Sequence, residues 1–219
     1  MGKMIVFLFI IVFGFILKTM YDAGEFKTLE PHYSGDCSSV TGVVGAEDIT
    51  FLNNGTALIS SDNRRSRING SEDQGTIYQY KPRAKNHKLI NLMPKLDTGF
   101  HPHGISVYEE PDGKTYLAAV NHHSSGLFNS RYGHSIELFI YDSDSLVHVR
   151  SVSGPLMISP NDIVLINKDQ FYVTNDHGSS SRLGQTFEEY LQQKKCNVLF
   201  YDGNEFRVVA SGLGFANGI

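Results

Sequence analysis

The sequence predicts an all-β protein built from the repeated four-stranded blades of a β-propeller. From about residue 40 onward, short runs rich in β-branched and aromatic residues alternate with clusters of Gly, Asn, Asp and Ser. Two residues followed by isoleucine recur along the chain as Glu47-Asp48-Ile49, His103-Gly104-Ile105, Asn161-Asp162-Ile163 and Asn217-Gly218-Ile219. The isoleucines are 56, 58 and 56 residues apart. A repeat of this length with four strands is typical of propeller blades.

Each repeat contains three more predicted strands after this first one. The second strands end at 59–62, 120–123 and 174–177, the third lie at 75–80, 135–142 and 197–202, and the fourth at 88–92, 146–152 and 206–210. The predicted partial propeller domain spans 37–219, with repeats starting near 47, 103, 161 and 217. It contains about three blades and the start of a fourth. Since the smallest closed propellers have about four blades, we expect the chain to be a fragment, and completion of the ring by partners is the alternative.

Residues 1–20 form a separate hydrophobic segment. An apolar run at 4–17 lies between Lys3 and Lys18, a pattern typical of a secretory signal, and a retained membrane anchor is the open alternative. Both place the propeller in the secretory pathway, either extracellular or anchored outside the cytosol. The sequons at Asn54 and Asn69 agree with glycosylation in that compartment.

The overall composition is that of a globular protein. The chain has 219 residues, of which 41% are hydrophobic and 19% charged, and its formal net charge is -4. Without a long basic run, it offers no electrostatic reason to bind nucleic acid. The two cysteines, Cys37 and Cys196, are too few for a disulfide scaffold.

One insertion interrupts the repeat at 179–196. Phe187, Tyr190 and Leu191 have helical i, i+3, i+4 spacing among charged residues, which predicts an amphipathic helix. We expect this helix to pack on the edge of a blade. A lid or a membrane contact is the alternative.

The first strand of a propeller blade lies innermost, so the repeated polar residues should meet at the mouth of the central channel. The oxygen-bearing side chains among them predict a calcium site, because Ca²⁺ binds carboxylate and amide oxygens; they are Glu47, Asp48, Asn161, Asp162 and Asn217. Turn chemistry is one alternative. Zinc is another, through the histidines at positions 101, 103, 122 and 123. We expect His101, His123 and His134 to be surface or loop residues.

Covalent catalysis has no support in the sequence. There is no Gly-x-Ser-x-Gly elbow, and neither cysteine lies in a recognised nucleophile motif. His103 and His122 occupy channel-facing positions of the repeat. Beside a cation, such histidines indicate metal-assisted hydrolysis, in which a histidine takes a proton from water.

Several motifs together resemble the paraoxonase/arylesterase family over about residues 37–219. They are Gly45-Ala46-Glu47-Asp48, Phe100-His101-Pro102-His103-Gly104-Ile105-Ser106, Val120-Asn121-His122, Asn161-Asp162-Ile163, Tyr172-Val173-Thr174-Asn175-Asp176-His177 and Phe215-Ala216-Asn217-Gly218-Ile219. The resemblance implies a six-bladed propeller with two calcium ions that hydrolyses lactones, aryl esters and some organophosphates.

The resemblance also implies individual roles. Glu47, Asn161 and Asn217 would bind a catalytic Ca²⁺, while Asp48, Asp162 and the carbonyl of Ile105 would bind a structural one. His103 would be the general base and His122 its partner. Cys37 matches a cysteine that in the family is bridged to the C-terminal end.

Family members also keep an uncleaved hydrophobic N-terminus, so the resemblance favours a retained segment, through which the protein would associate with a membrane or lipid particle. Further calcium ligands of the family would lie beyond Ile219. The alternative function is a non-catalytic, membrane-tethered chaperone or accessory subunit.

Overall fold

A computed structural model describes residues 2–69, 73–93, 99–123 and 133–219, and for residues 67 and 68 it describes the backbone alone. The chain divides into two compact units, Met1–Ser39 and Val40–Ile219. In the first unit, helix α1 spans Gly2–Asp22 and has no buried residue. Its length and apolar composition suffice to cross a bilayer, and a secretory signal has the same properties. The helix therefore resembles a signal or anchor. The predicted bounds of the two segments, 1–20 and 37–219, stay predictions.

The second unit contains three four-stranded antiparallel sheets, and within each sheet the strands pair in chain order. The strands of the first sheet are β1 Ala46–Phe51, β2 Ala57–Ser61, β3 Thr76–Tyr80 and β4 Ile90–Asn91. Those of the second are β5 Pro102–Glu109, β6 Thr115–His122, β7 His134–Asp142 and β8 Ser145–Val152. Those of the third are β9 Pro160–Leu165, β10 Phe171–Asn175, β11 Cys196–Tyr201 and β12 Phe206–Leu213. The predicted all-β propeller architecture is confirmed, and we call the sheets blades 1, 2 and 3.

The predicted fourth repeat begins at Asn217, where the structure has no strand. Its backbone still occupies the expected place beside blade 3, because the N–H of Ile219 donates to Asp162 Oδ2 at 2.9 Å. Ile105 makes the matching contact between blades 1 and 2, at 2.8 Å to Asp48 Oδ2.

Blade 2 is buried on both faces, which explains the long apolar runs in its strands. Alternate residues of β6 face opposite neighbours. Leu117 and Ala119 join the core shared with blade 1. Ala118 and Val120 join the core shared with blade 3. The two interblade cores thus fix the blades side by side, and the innermost strands β1, β5 and β9 contact one another in sequence.

A β-bulge occurs at the start of every innermost strand. Ala46 and Ile49 pair with Ser61 and Ile59, so three steps along β1 match two along β2. The same extra residue occurs between Pro102 and Ile105 in blade 2, and between Pro160 and Ile163 in blade 3. Each recurring residue pair therefore lies in a bulge. Because a bulge redirects side chains relative to a regular strand, simple strand alternation does not describe these positions.

The predicted insertion helix is present as α3, Arg182–Tyr190, with Ser181 as its N-cap. The helix contacts the residues that follow β10 in blade 3, but it does so through polar side chains rather than through its apolar residues. Phe187, Tyr190 and Leu191 are all exposed, and the buried residue of the helix is Glu188. Polar contacts determine this orientation, since Glu188 accepts from the Gly178 N–H at 2.9 Å. The other short helix, α2, spans Arg64–Ile68 between β2 and β3.

The predicted modification sites, Asn54, Asn69 and Cys37, are all exposed. Asn54 is exposed in a turn in which its Oδ1 accepts from the Thr56 N–H at 2.9 Å. Asn69 is also exposed, while Gly70 and Ser71 of its sequon lie outside the described residues. Cys37 is free and exposed, and Cys196 is free and buried.

Candidate active site

The two predicted catalytic residues are in direct contact at the start of blade 2. His103 Nδ1 lies 3.1 Å from His122 Nε2. His103 stands in the bulge of β5, and His122 ends the adjacent strand β6. Burial, together with the charge of Arg64, lowers the pKa of His103 to about 4. At neutral pH the imidazole of His103 is therefore uncharged and has a lone pair available.

Glu47 reaches the same imidazole from blade 1. Its Oε2 lies 3.4 Å from His103 Nε2 and 3.2 Å from Arg64 Nη2. Arg64 belongs to α2, so this short helix brings a cation to the mouth of the channel. The sequence motifs did not identify Arg64, because its place depends on the path of the chain after β2.

Asn161 is buried at the start of β9, and its side-chain amide is oriented by Asp176. Asn161 Nδ2 donates to Asp176 Oδ2 at 2.9 Å, while Ser159 Oγ and His177 Nδ1 contact the other oxygen of that carboxylate at 2.5 and 2.8 Å. The amide nitrogen is thus held by Asp176. Asn217, the other predicted amide ligand, is exposed.

Asp48 and Asp162 are held in nearly identical ways in blades 1 and 3. The Oδ1 atom of each accepts from the N–H of the following isoleucine, at 2.7 and 2.8 Å. The Oδ2 atom of each accepts from an isoleucine N–H in the next repeat. Burial, with a contribution from the charge of Asp48, raises the pKa of Asp162. The two carboxylates are thus near enough to repel each other.

The donor set at the mouth fits a hard cation better than zinc. Within the described ranges, no three His, Cys, Asp or Glu side chains assemble into a group that could hold a metal ion, so the histidine set expected for zinc is not formed. The two predicted sets of calcium ligands do not need three such side chains. Each set combines one or two carboxylates with amide or backbone carbonyl oxygens. Repulsion between Asp48 and Asp162 is what a bound cation would relieve.

Three further histidines were expected on the surface or in loops; His101 and His123 do lie outside the strands, whereas His134 lies in a strand. His101 is buried, and its Nδ1 contacts Asp62 Oδ1 at 3.1 Å. His123 Nε2 lies 2.6 Å from Ser135 Oγ. His134 begins β7, directly opposite His122, and its Nδ1 is 2.8 Å from His122 Nδ1. The sequence pattern placed the start of this strand one residue too late.

The fold and the site together define a class of β-propeller proteins in which the inner strands present a histidine pair and carboxylate and amide side chains at one channel mouth. The model of the Arylesterase family matches residues 28–219. The chain belongs to this arylesterase family.

Individual relatives agree with this assignment. The chain is 34% identical over 205 residues to serum paraoxonase/arylesterase 2 of Gallus gallus, covering 88% of this chain and 55% of that protein. It is 34% identical over 206 residues to serum paraoxonase/lactonase 3 of Oryctolagus cuniculus, with coverage of 90% and 56%. It is 33% identical over 202 residues to serum paraoxonase/arylesterase 1 of Homo sapiens, with coverage of 88% and 55%. The chain spans about half the length of the curated relatives it matches.

Among solved structures, an α-L-arabinanase of Penicillium chrysogenum complexed with arabinobiose is similar at a TM-score of 0.42. The sequence identity is 15%, and the match covers 83% of this chain and 56% of that chain.

Proposed function

We propose that the full-length protein is a calcium-dependent hydrolase of lactones and aryl esters, with organophosphates as further substrates. Family membership and the names of the relatives support this class of reaction. The observation that carries the proposal is the contact of His103 with His122, next to Glu47 and at the mouth of the channel.

His103 is the general base in this proposal. With its pKa at about 4, the neutral imidazole takes a proton from water at Nε2 as the water attacks the substrate carbonyl. The positive charge that develops on His103 is stabilised by His122, which accepts a hydrogen bond from His103 Nδ1. Arg64 lies beside Glu47 and so can influence the charge at this end of the pair.

Glu47, Asn161 and Asn217 would hold the catalytic Ca²⁺, and Asp48, Asp162 and the Ile105 carbonyl the structural one. When bound, the catalytic ion supplies Lewis-acid polarisation of the ester carbonyl. Asp176 contributes through its hydrogen bond to Asn161 Nδ2, which leaves Asn161 Oδ1 free to turn toward a cation.

The hydrophobic N-terminus supports a secreted or membrane-anchored protein that associates with a membrane or lipid particle through α1. Asn54 and Asn69 are the proposed glycosylation sites. The exposed thiol of Cys37 is available for a disulfide with a cysteine outside residues 1–219.

The test uses the full-length protein with a lactone and an aryl ester as substrates. His103→Gln should lower kcat about 100-fold or more, the range expected for loss of a general base. Removal of Ca²⁺ with a chelator should abolish turnover, and added Ca²⁺ should restore it. His87→Gln is the matched control, because His87 is exposed and contacts Tyr80 in blade 1.

Turnover that persists after chelation would contradict the calcium dependence. Unchanged kcat in His103→Gln would contradict the role of the base. A folded protein that hydrolyses neither substrate class would instead support the chaperone or accessory role.

A further inference from the structure

A third histidine extends the catalytic pair into a chain of three imidazoles. β6 and β7 are antiparallel neighbours, and His122 is directly opposite His134. Directly opposed residues of such strands lie on the same face of a sheet. The rings meet edge to face with centroids 4.8 Å apart, and the two Nδ1 atoms are 2.8 Å apart. That separation is short enough for an N–H···N hydrogen bond.

Proton counting restricts how the three rings can be arranged. A neutral imidazole carries one N–H and one lone pair, so each of the two N···N contacts needs one proton from one of its rings. Burial, followed by the charge of His123, lowers the pKa of His134 to about 4. The end ring of His134 is therefore neutral at neutral pH.

With neutral rings, only two arrangements satisfy both contacts. In the first, His134 donates from Nδ1 to His122, and His122 donates from Nε2 to His103, so the proton of His103 is on Nε2. In the second, His103 donates from Nδ1 to His122 Nε2, and His122 donates from Nδ1 to His134 Nδ1. Only the second arrangement leaves a lone pair on His103 Nε2, which is the atom that must take a proton from water.

Glu47 favours the unproductive arrangement. Its Oε2 is 3.4 Å from His103 Nε2, and a carboxylate attracts an N–H to that position. A hydrogen-bond acceptor on the other side of His122 has the opposite effect, because it keeps the proton of His122 on Nδ1. His134 Nδ1 stands where that acceptor is needed.

We propose that His134 is a positioning residue that accepts the Nδ1–H of His122 and so keeps His103 protonated on Nδ1, with its Nε2 free to act as the base. The role rests on the proposed hydrolase function. The same arrangement distributes the positive charge formed during catalysis, since the Nδ1 proton of His103 can pass to His122 Nε2 as His122 passes its own to His134.

The experiment compares His134→Phe with His134→Gln in the full-length protein. Phenylalanine keeps an aromatic ring against His122 but has no acceptor, whereas the glutamine carbonyl can accept the Nδ1–H. We expect His134→Phe to lower kcat about ten- to a hundredfold with little change in KM, and His134→Gln to restore most of the loss. In a His122→Gln background, His134→Phe should have little further effect, because its action passes through His122.

A spectroscopic readout separates this inference from the proposed function. Nitrogen-15 NMR of histidine-labelled full-length protein reports which ring nitrogen of His122 carries the proton. We expect Nδ1–H in the unmodified protein and in His134→Gln, and a shift toward Nε2–H in His134→Phe.

A proton on Nε2 of His122 in the unmodified protein would overturn the inference, even if His134→Phe does not fold. Equal loss of kcat in the Phe and Gln variants with an unchanged His122 tautomer would also overturn it. If the protein has no hydrolase activity, the proposed function is wrong. The protonated nitrogen of His122, measured by NMR, then still shows whether His134 accepts its Nδ1–H.

Discussion

Blades 1 and 3 differ from blade 2 at the second residue of the bulge. Blades 1 and 3 carry aspartates there, Asp48 and Asp162, opposite a hydroxyl residue of the second strand. Ser60 Oγ and Thr174 Oγ1 each lie 3.0 Å from the backbone nitrogen of the corresponding aspartate. Blade 2 carries Gly104 at this place, opposite the buried Val120.

Neighbouring blades are therefore complementary rather than identical. A Cβ on Gly104 would lie 2.5 Å from the Asn161 carbonyl oxygen and 2.6 Å from Asp162 Cα. Blade 3 can therefore place its aspartate against blade 2 only because blade 2 has no side chain there. The sequence repeats the glycine at Gly218, two repeats after Gly104.

A side chain at this position of blade 2 should reduce stability more than any other substitution considered below. Gly104→Ala should destabilise the protein by about 3 kcal/mol, because the backbone of blade 3 must shift to admit the methyl group. Urea denaturation of the full-length protein would measure this. Gly214→Ala is the control, since its Cβ would have Lys194 Cγ at 3.9 Å as its nearest neighbour. Equal stability of the two variants would contradict the complementarity of the blades.

Buried carboxylates also differ between the blades. Burial would raise the pKa of Glu137 in blade 2, but hydrogen bonds from Ser135, Ser151, Asn121 and His148 outweigh it, and the net pKa is lowered. Asp162 in blade 3 has a raised pKa instead. Glu137 is thus a fully partnered acid, while Asp162 retains an unfavourable charge that a cation would compensate.

Glu137→Gln should cost about 2 kcal/mol of unfolding free energy at neutral pH, because charge-assisted hydrogen bonds are lost in the core. Because folding lowers the pKa of Glu137, its ionised carboxylate stabilises the folded protein at pH values above 4.5, the ordinary pKa of the group. This stabilisation is lost as the pH falls through the pKa that Glu137 has in the folded protein. The difference between wild type and variant should therefore shrink below about pH 4.5. A difference that stays constant down to pH 3 would show that the charge of Glu137 is not responsible.

Smaller losses of stability are expected from removing the hydroxyl groups that accept hydrogen bonds from the backbone of the bulges. Thr174→Val should cost about 1 kcal/mol, since the variant keeps its shape but leaves the Asp162 N–H without its partner. Ser60→Ala should cost more, because Ser60 Oγ also donates to the His103 carbonyl at 2.7 Å. Thermal unfolding of both variants would rank them. The reverse order would indicate that the link from Ser60 to blade 2 adds no stability.

Most of the fold could be predicted from the sequence, because the spacing of the isoleucines and the strand pattern are local properties. The positions of His103 and His122 followed from the same repeat, and the structure brings the two rings into contact. Their catalytic roles stay predictions. The assignment of calcium ligands remains a prediction. What the repeat shows directly is only that these residues share a position in successive blades.

The parts that could not be predicted depend on register and on contacts distant in sequence. The sequence predicts a surface or loop position for His134, because its contact with His122, twelve residues earlier, depends on how β6 and β7 pair. Arg64 and Asp176 act through residues of other strands. The orientation of α3 follows from single hydrogen bonds such as that of Glu188, which the spacing of apolar residues does not encode.

The repeated bulge gives each blade the same backbone at the channel mouth with a different set of side chains. The strands pair through backbone hydrogen bonds on either side of each bulge. The side chain of the first of the two bulge residues is therefore not needed for strand pairing. Glu47, His103 and Asn161 are those first residues. Selection could therefore alter the chemistry of this protein one substitution at a time, while leaving the sheets that support it unchanged.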